Sequence, residues 1–182
     1  MIFEKKDIVL KNGVECILRS PSVEDAESMI DYLKTTSGET EFMVRYPEEV
    51  TMTVEEEEGI LKGIIDSKNS IMIAAFIGDE LAGNAGISCV GERIKLSHRA
   101  TFGIAIKQKF WGMGIGNILL TEILEKSREL GFEQVELGVV ENNYKAVRLY
   151  EKFGFVKYGT VLNAFKLKDG SYCGELIMIK TL

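Results

Sequence analysis

Phe110-Trp111-Gly112-Met113-Gly114-Ile115-Gly116-Asn117 is the stretch on which the reading of this chain turns. Before it, residues 98–106 read as a long extended segment. After it, Ile118, Leu119, Ile123, Leu124 and Leu130 recur at helical spacing, and Gly131 follows as a helix terminator. Three alternate glycines at a strand-to-helix junction remove β-carbons where the main chain must turn, so successive N–H groups can converge on an anion. The start of the helix adds a partial positive charge of its own. The plainer alternative is a glycine turn that lets strand and helix pack closely. A Walker loop is excluded because no Gly-Lys-Ser/Thr follows, and the dinucleotide fingerprint fails where Asn117 stands in place of its last glycine.

Outward from this loop, apolar patterning alternates between the two regular periods. Residues 7–19 read as a hairpin around Asn12-Gly13, a type I′ signal. Ser22 is a helix N-cap with Asp25 in the capping-box position, and Ala26, Met29, Ile30 and Leu33 share one face. Residues 35–53 read as irregular. Thr53 caps a second helix through Ser67, whose first-turn glutamates Glu55, Glu56, Glu57 and Glu58 form a solvated face matched to the helix dipole. Strands follow at 70–77 and 81–90 around Gly78-Asp79. Beyond the loop come a strand at 135–140, a short helix at 143–153 closed by Gly154, and strands at 155–163 and 172–180 joined through Asp169-Gly170. The order ββααβββαβαββ predicts one mixed α/β sheet with helices on its faces, and residues 1–182 are expected to form a single domain.

Composition narrows the function classes. No apolar run approaches the roughly 20 residues that span a bilayer, and the first residues, Met1-Ile2-Phe3-Glu4-Lys5-Lys6-Asp7, lack a secretory pattern. Three separated cysteines and one histidine, His98, leave no paired metal-ligand spacing, so no metal is expected. A net charge of −6 disfavours nucleic acid as partner. A cytoplasmic protein is the expectation.

The six residues Trp111, Gly112, Met113, Gly114, Ile115 and Gly116 resemble the acetyl-CoA signature Gln/Arg-x-x-Gly-x-Gly/Ala of the GNAT family of N-acetyltransferases, with Trp111 departing from the usual Gln or Arg. Asn143-Tyr144-Lys145-Ala146-Val147-Arg148-Leu149-Tyr150-Glu151-Lys152-Phe153-Gly154-Phe155 resembles the same family's Asn-x-x-Ala-x-x-Leu-Tyr-x-x-x-Gly-Phe segment. The resemblance implies the acyl-CoA N-acyltransferase fold: a mostly antiparallel mixed sheet, splayed into a V between the strands at 98–106 and 135–140, with about four helices. It implies acetyl-CoA as co-substrate, its diphosphate on the loop from Trp111 to Asn117 and its pantetheine arm along the backbone of Ile104, Ala105 and Ile106. Segments 97–104 and 166–172 are similar to bacterial L-amino-acid N-acetyltransferases. Similar tails occur in polyamine and ribosomal-protein N-terminal acetyltransferases.

What the resemblance implies for chemistry is direct attack of a small-molecule primary amine on the thioester. Tyr150 matches the family's general acid, and a phenol stays protonated at neutral pH. Asn143 would hold cofactor or backbone polar groups at the start of the last helix. The N–H of Ile106 or a neighbour would polarise the thioester carbonyl. The base is open. Thr101 stands where many relatives carry Glu, leaving Glu141, His98, a carboxylate from 39–41, or a water. A site without an evident carboxylate favours an α-amine, whose pKa near 8 leaves more of it neutral than a lysine-like amine near 10.4. Arg45 or Arg99 could pair a substrate carboxylate. A regulatory module that keeps acetyl-CoA without transferring it, and an interaction protein using open sheet edges, are the competing classes. The C-terminal strands could also pair two copies into a homodimer.

Overall fold

A computed structural model describes all residues, 1–182. Eight strands and four α-helices follow one another in the anticipated order, and the mixed, mostly antiparallel α/β class is as expected. The chain forms two compact units, one of residues 1–88 and 103–126, the other of residues 89–102 and 127–182. No helix is long and apolar enough to cross a membrane.

The first unit begins with a hairpin of β1 (Lys6–Val9) and β2 (Glu15–Arg19), in register from Lys6↔Leu18 to Val9↔Glu15. Its turn is not type I′. Gly13 N–H donates to Leu10 C=O at 2.9 Å, and Gly13 (φ +83°) alone is left-handed while Asn12 is not. The central pair is therefore Lys11-Asn12, with glycine absorbing the reversed twist afterwards. Ser22 and Asp25 form the expected capping box, and Arg19 clamps Asp25 at 2.6 and 2.7 Å. Helix α1 (Ala26–Glu39) runs a turn further than the sequence suggested. Thr36 Oγ1 folds back on Tyr32 C=O at 2.9 Å, which lets a polar residue stay buried inside the helix.

Thr53 caps α2 (Val54–Asp66) with Glu56 in a full capping box. The solvated glutamate face needs one correction: Glu57 is only 3% exposed. Between α1, α2 and the sheet lies a core of Ala26, Met29, Tyr32, Leu61, Ala74, Phe76 and Leu81. β3 (Ser70–Ile77) and β4 (Glu80–Cys89) pair antiparallel, with a bulge where Ala75 faces Gly83 and Phe76 faces Leu81. Strand order in this unit is β1-β2-β3-β4-β5, its share of β5 (Arg99–Ile106) being residues 103–106.

In the second unit the order is β5-β6-β8-β7. β5 runs parallel to β6 (Gln134–Val140) at Arg99, Ala100 and Thr101. β8 (Tyr172–Thr181) inserts antiparallel between β6 and β7 (Val156–Lys166), the latter ending three residues later than expected and irregular near Asn163 (φ +51°). Helix α4 (Tyr144–Lys152) buries Tyr150 against Phe102 and Phe155, with ring centroids 6.1 and 5.9 Å away.

Candidate functional site

In the first unit, the chain leaves β5, makes one 3₁₀ turn at Gln108–Phe110 and enters α3 (Ile115–Glu129) through the glycines. Gly112 (φ +79°) and Gly114 (φ +92°) are both left-handed, and a β-carbon on either would meet only open space. The N–H groups of Asn117 and Ile118 close the first helical turn on Gly114 C=O at 3.1 and 3.2 Å. The N–H groups of Gly112, Met113, Gly114, Ile115 and Gly116 donate to no protein atom. Five open donors at a helix start, with the room that missing β-carbons leave, fit a diphosphate. Buried Ile115 (1% exposed) pins the loop to the core.

Trp111, the departure from the family pattern, has a job here: its Nε1–H donates to Ile106 C=O at 2.8 Å. The loop is thus tied to the end of β5 at a fixed distance. Trp111→Phe keeps the ring and loses this bond. A stability loss of about 1 kcal/mol and weaker acetyl-CoA binding are expected, read by denaturant unfolding and calorimetry.

β5 is held open from the other side. Tyr32, reaching from α1, inserts its hydroxyl between strands, donating to Ala105 C=O at 2.7 Å and accepting from Asn84 N–H at 3.2 Å. Burial raises the Tyr32 pKa, so this donor stays protonated. Gly83 is required opposite, because a β-carbon there would stand 2.9 Å from the Ala105 oxygen and the Ile106 side chain. Strand alternation then turns the polar groups of Ala105 towards β4 and those of Ile104 and Ile106 to the other edge. With Ile106 C=O taken by Trp111, the N–H of Ile106 and both groups of Ile104 remain for a ligand.

The second unit carries the residues expected to move protons. Tyr150 is 6% exposed, its hydroxyl meets no hydrogen-bond partner, and burial pushes its pKa up to about 12. A structural core tyrosine would bond its hydroxyl to backbone; this one does not. Asn143 accepts Ala146 N–H at 3.2 Å as the N-cap of α4, which commits its side-chain oxygen. Glu141 is exposed, and its Oε1 accepts Gly174 N–H at 2.7 Å.

Among the other base candidates, Glu39 in the first unit accepts Gln108 N–H at 2.7 Å. Sequence reasoning missed Glu175. Paired with Val140 across β6 and β8, this half-buried residue lays its carboxylate over Gly138, where a β-carbon would overlap it. The carboxylate has no hydrogen bond and no ion pair. The only sequence signal was a glycine inside the apolar strand Val135 to Val140, which marks a close approach. The first unit thus brings together Ile104, Ala105, Ile106 and residues 111–117, while the second holds Glu141, Asn143, Tyr150 and Glu175.

Residues 33–155 match the sequence profile of the Acetyltransferase (GNAT) family, a stretch that runs from α1 through the glycine loop to the end of the Asn143–Phe155 segment. The chain is 29% identical over 109 residues to the L-amino acid N-acetyltransferase AaaT of Escherichia coli (strain K12), covering 59% of this chain and 66% of that protein. Identity to the spermine/spermidine N(1)-acetyltransferase of Bacillus subtilis (strain 168) is 31% over 78 residues, or 42% and 45% of the two chains. The chain therefore spans less than two thirds of either relative's length. A crystal structure of a GNAT-family acetyltransferase from Streptococcus pneumoniae superposes with a TM-score of 0.87 at 28% identity, over 92% of this chain and 99% of that one.

Proposed function

This chain belongs to the acetyltransferase (GNAT) family, and we propose that it moves the acetyl group of acetyl-CoA directly onto the primary amine of a small molecule, most simply a free amino acid. The observation that carries the reading is the glycine loop with five uncommitted N–H donors at the start of α3. They would hold the cofactor's diphosphate, while the open edge of β5 takes the pantetheine amides.

The amine nitrogen attacks the thioester carbon, forming the C–N bond as the C–S bond breaks. Ile106 N–H stabilises the oxygen's developing charge. Tyr150 gives its proton to the departing thiolate, a role supported by a hydroxyl that bonds no protein group and stays protonated on a largely buried ring. The proton lost by the amine goes to a carboxylate, and Glu175 is favoured over Glu141 because its oxygens are uncommitted. Glu175→Gln is expected to lower kcat by roughly 10²-fold with the KM for acetyl-CoA unchanged. Glu141→Gln, which keeps an acceptor for Gly174 N–H, should change kcat little; the reverse ranking would return the role to Glu141.

With a carboxylate at hand, the lack of a base no longer favours an α-amine. An amino-acid acceptor is supported instead by similarity to the Escherichia coli enzyme. A polyamine is the second reading, supported by similarity to the Bacillus subtilis enzyme. Competition between free amino acids and spermidine in a thiol-release assay separates them. Three unbridged cysteines support a reducing compartment, which we take to be the cytoplasm. Exposed Val156, Tyr158, Val161 and Leu162 on the terminal strand β7 support pairing of two copies.

A further inference from the structure

Two arginines could meet a carboxylate, and only one of them is free to do so. Arg99 is committed to Glu136 through a bidentate pair, Nε to Oε1 and Nη2 to Oε2, the latter at 2.7 Å. Arg45, between α1 and α2 in the first unit, forms no hydrogen bond and no ion pair with any residue. The residue is half-buried and its Nε is shut off from solvent. A donor shut off from water is costly to leave unpartnered, and the rest of the guanidinium fork stays open to a ligand.

A second orphan lies close by in the fold. Ser37, near the end of α1, is 3% exposed and its hydroxyl has no partner. The neighbouring Gly38 has the Pro47 ring 3.1 Å from where a β-carbon would stand, so the last turn of α1 packs on the chain just past Arg45. On α2, the carboxyl of buried Glu57 makes no hydrogen bond, yet Arg45 offsets part of the upward push that burial gives it. Its charge balances the guanidinium without capping the donors. Arg45 is also felt at the Tyr32 hydroxyl, which sits on Ala105 C=O of β5.

We infer that Arg45, helped by the Ser37 hydroxyl, grips a carboxylate on the acceptor, which is therefore an α-amino acid or another amine with a carboxylate a few bonds from its nitrogen. This rests on the acetyltransferase reading and names the substrate class of that site. The guanidinium fork matches a carboxylate in two parallel hydrogen bonds, and its place near Tyr32 keeps a short acceptor's nitrogen by β5.

The test uses the full chain, acetyl-CoA, and an amino acid alongside its primary amide, which keeps the α-amine and lacks the carboxylate; spermidine is the third acceptor. The native chain is expected to favour the acid over the amide by about 10- to 100-fold in kcat/KM. In Arg45→Gln that ratio collapses towards one through a raised KM for the acid, and Arg45→Lys recovers part of it. Ser37→Ala moves the ratio the same way by less. CoA binding by calorimetry checks that each variant is intact. If Arg45→Gln does not bind CoA, Ser37→Ala decides, and an unchanged ratio overturns the inference. A native chain that uses the amide or spermidine as well as the acid overturns it, as does an Arg45→Gln that slows all acceptors equally. No CoA release with any acceptor would defeat the acetyltransferase reading itself.

Discussion

Tyr150→Phe is expected to lower kcat by about 10²-fold or more while leaving folding stability nearly unchanged. The two effects part because the hydroxyl has no protein partner to lose. Deleting a hydroxyl that bonds no protein group breaks no hydrogen bond, and the ring keeps its packing against Phe102 and Phe155. A purely structural tyrosine would behave in the opposite way, losing stability before activity. The raised pKa of about 12 adds a pH signature. The folded-state value lies above that of a free phenol, so the acid stays protonated up to high pH. The native rate should show no fall from loss of this proton between pH 7 and 10. Thermal unfolding and a pH–kcat profile on the same two proteins check both statements.

The second large effect is expected at Gly114→Val. Its φ of +92° lies where a β-branched residue is strained by roughly 1–3 kcal/mol, and its carbonyl closes the first turn of α3. The β-carbon of valine would also project into the open space assigned to the diphosphate. The KM for acetyl-CoA should rise by roughly 10- to 100-fold. The KM for the amine should move little, because no acceptor contact is assigned to this loop. A variant with unchanged acetyl-CoA KM would mean that the glycines serve only close packing of strand and helix.

Much of this was legible because the signals are local. Helix caps at Thr53 and Asn143 depend on residues three positions apart, and both formed; Ser22 bonds Asp25 as expected but starts a 3₁₀ turn ahead of α1, whose own N-cap is Asp25. At the glycine loop, spacing left an anion cradle and a close-packed turn both open, and the family resemblance chose between them; left-handed φ at Gly112 and Gly114 is what those glycines allow. The misses share a different origin. Glu175 meets Gly138 only because β8 inserts beside β6, a pairing between residues far apart in the chain. Tyr32 carried no signal beyond its place in the first helix; its role as a wedge depends on a bulge in β4 and the course of β5. Glu57 sits in a run that reads as solvated, and only the tertiary packing of α2 buries it. At the first hairpin, Asn12-Gly13 marked the turn correctly but not its type, since a one-residue shift of the turn satisfies the same two residues.

The central claim is that this chain binds acetyl-CoA through the glycine loop and passes its acetyl group to an amine. The most direct test is thiol release from acetyl-CoA by the purified chain against free amino acids, amino-acid amides, polyamines and short peptides, with the products weighed by mass spectrometry. The account predicts CoA release matched one for one by an N-acetylated small amine, and lost in Tyr150→Phe. Tight CoA binding with no acetylated amine from any member of the panel would contradict it.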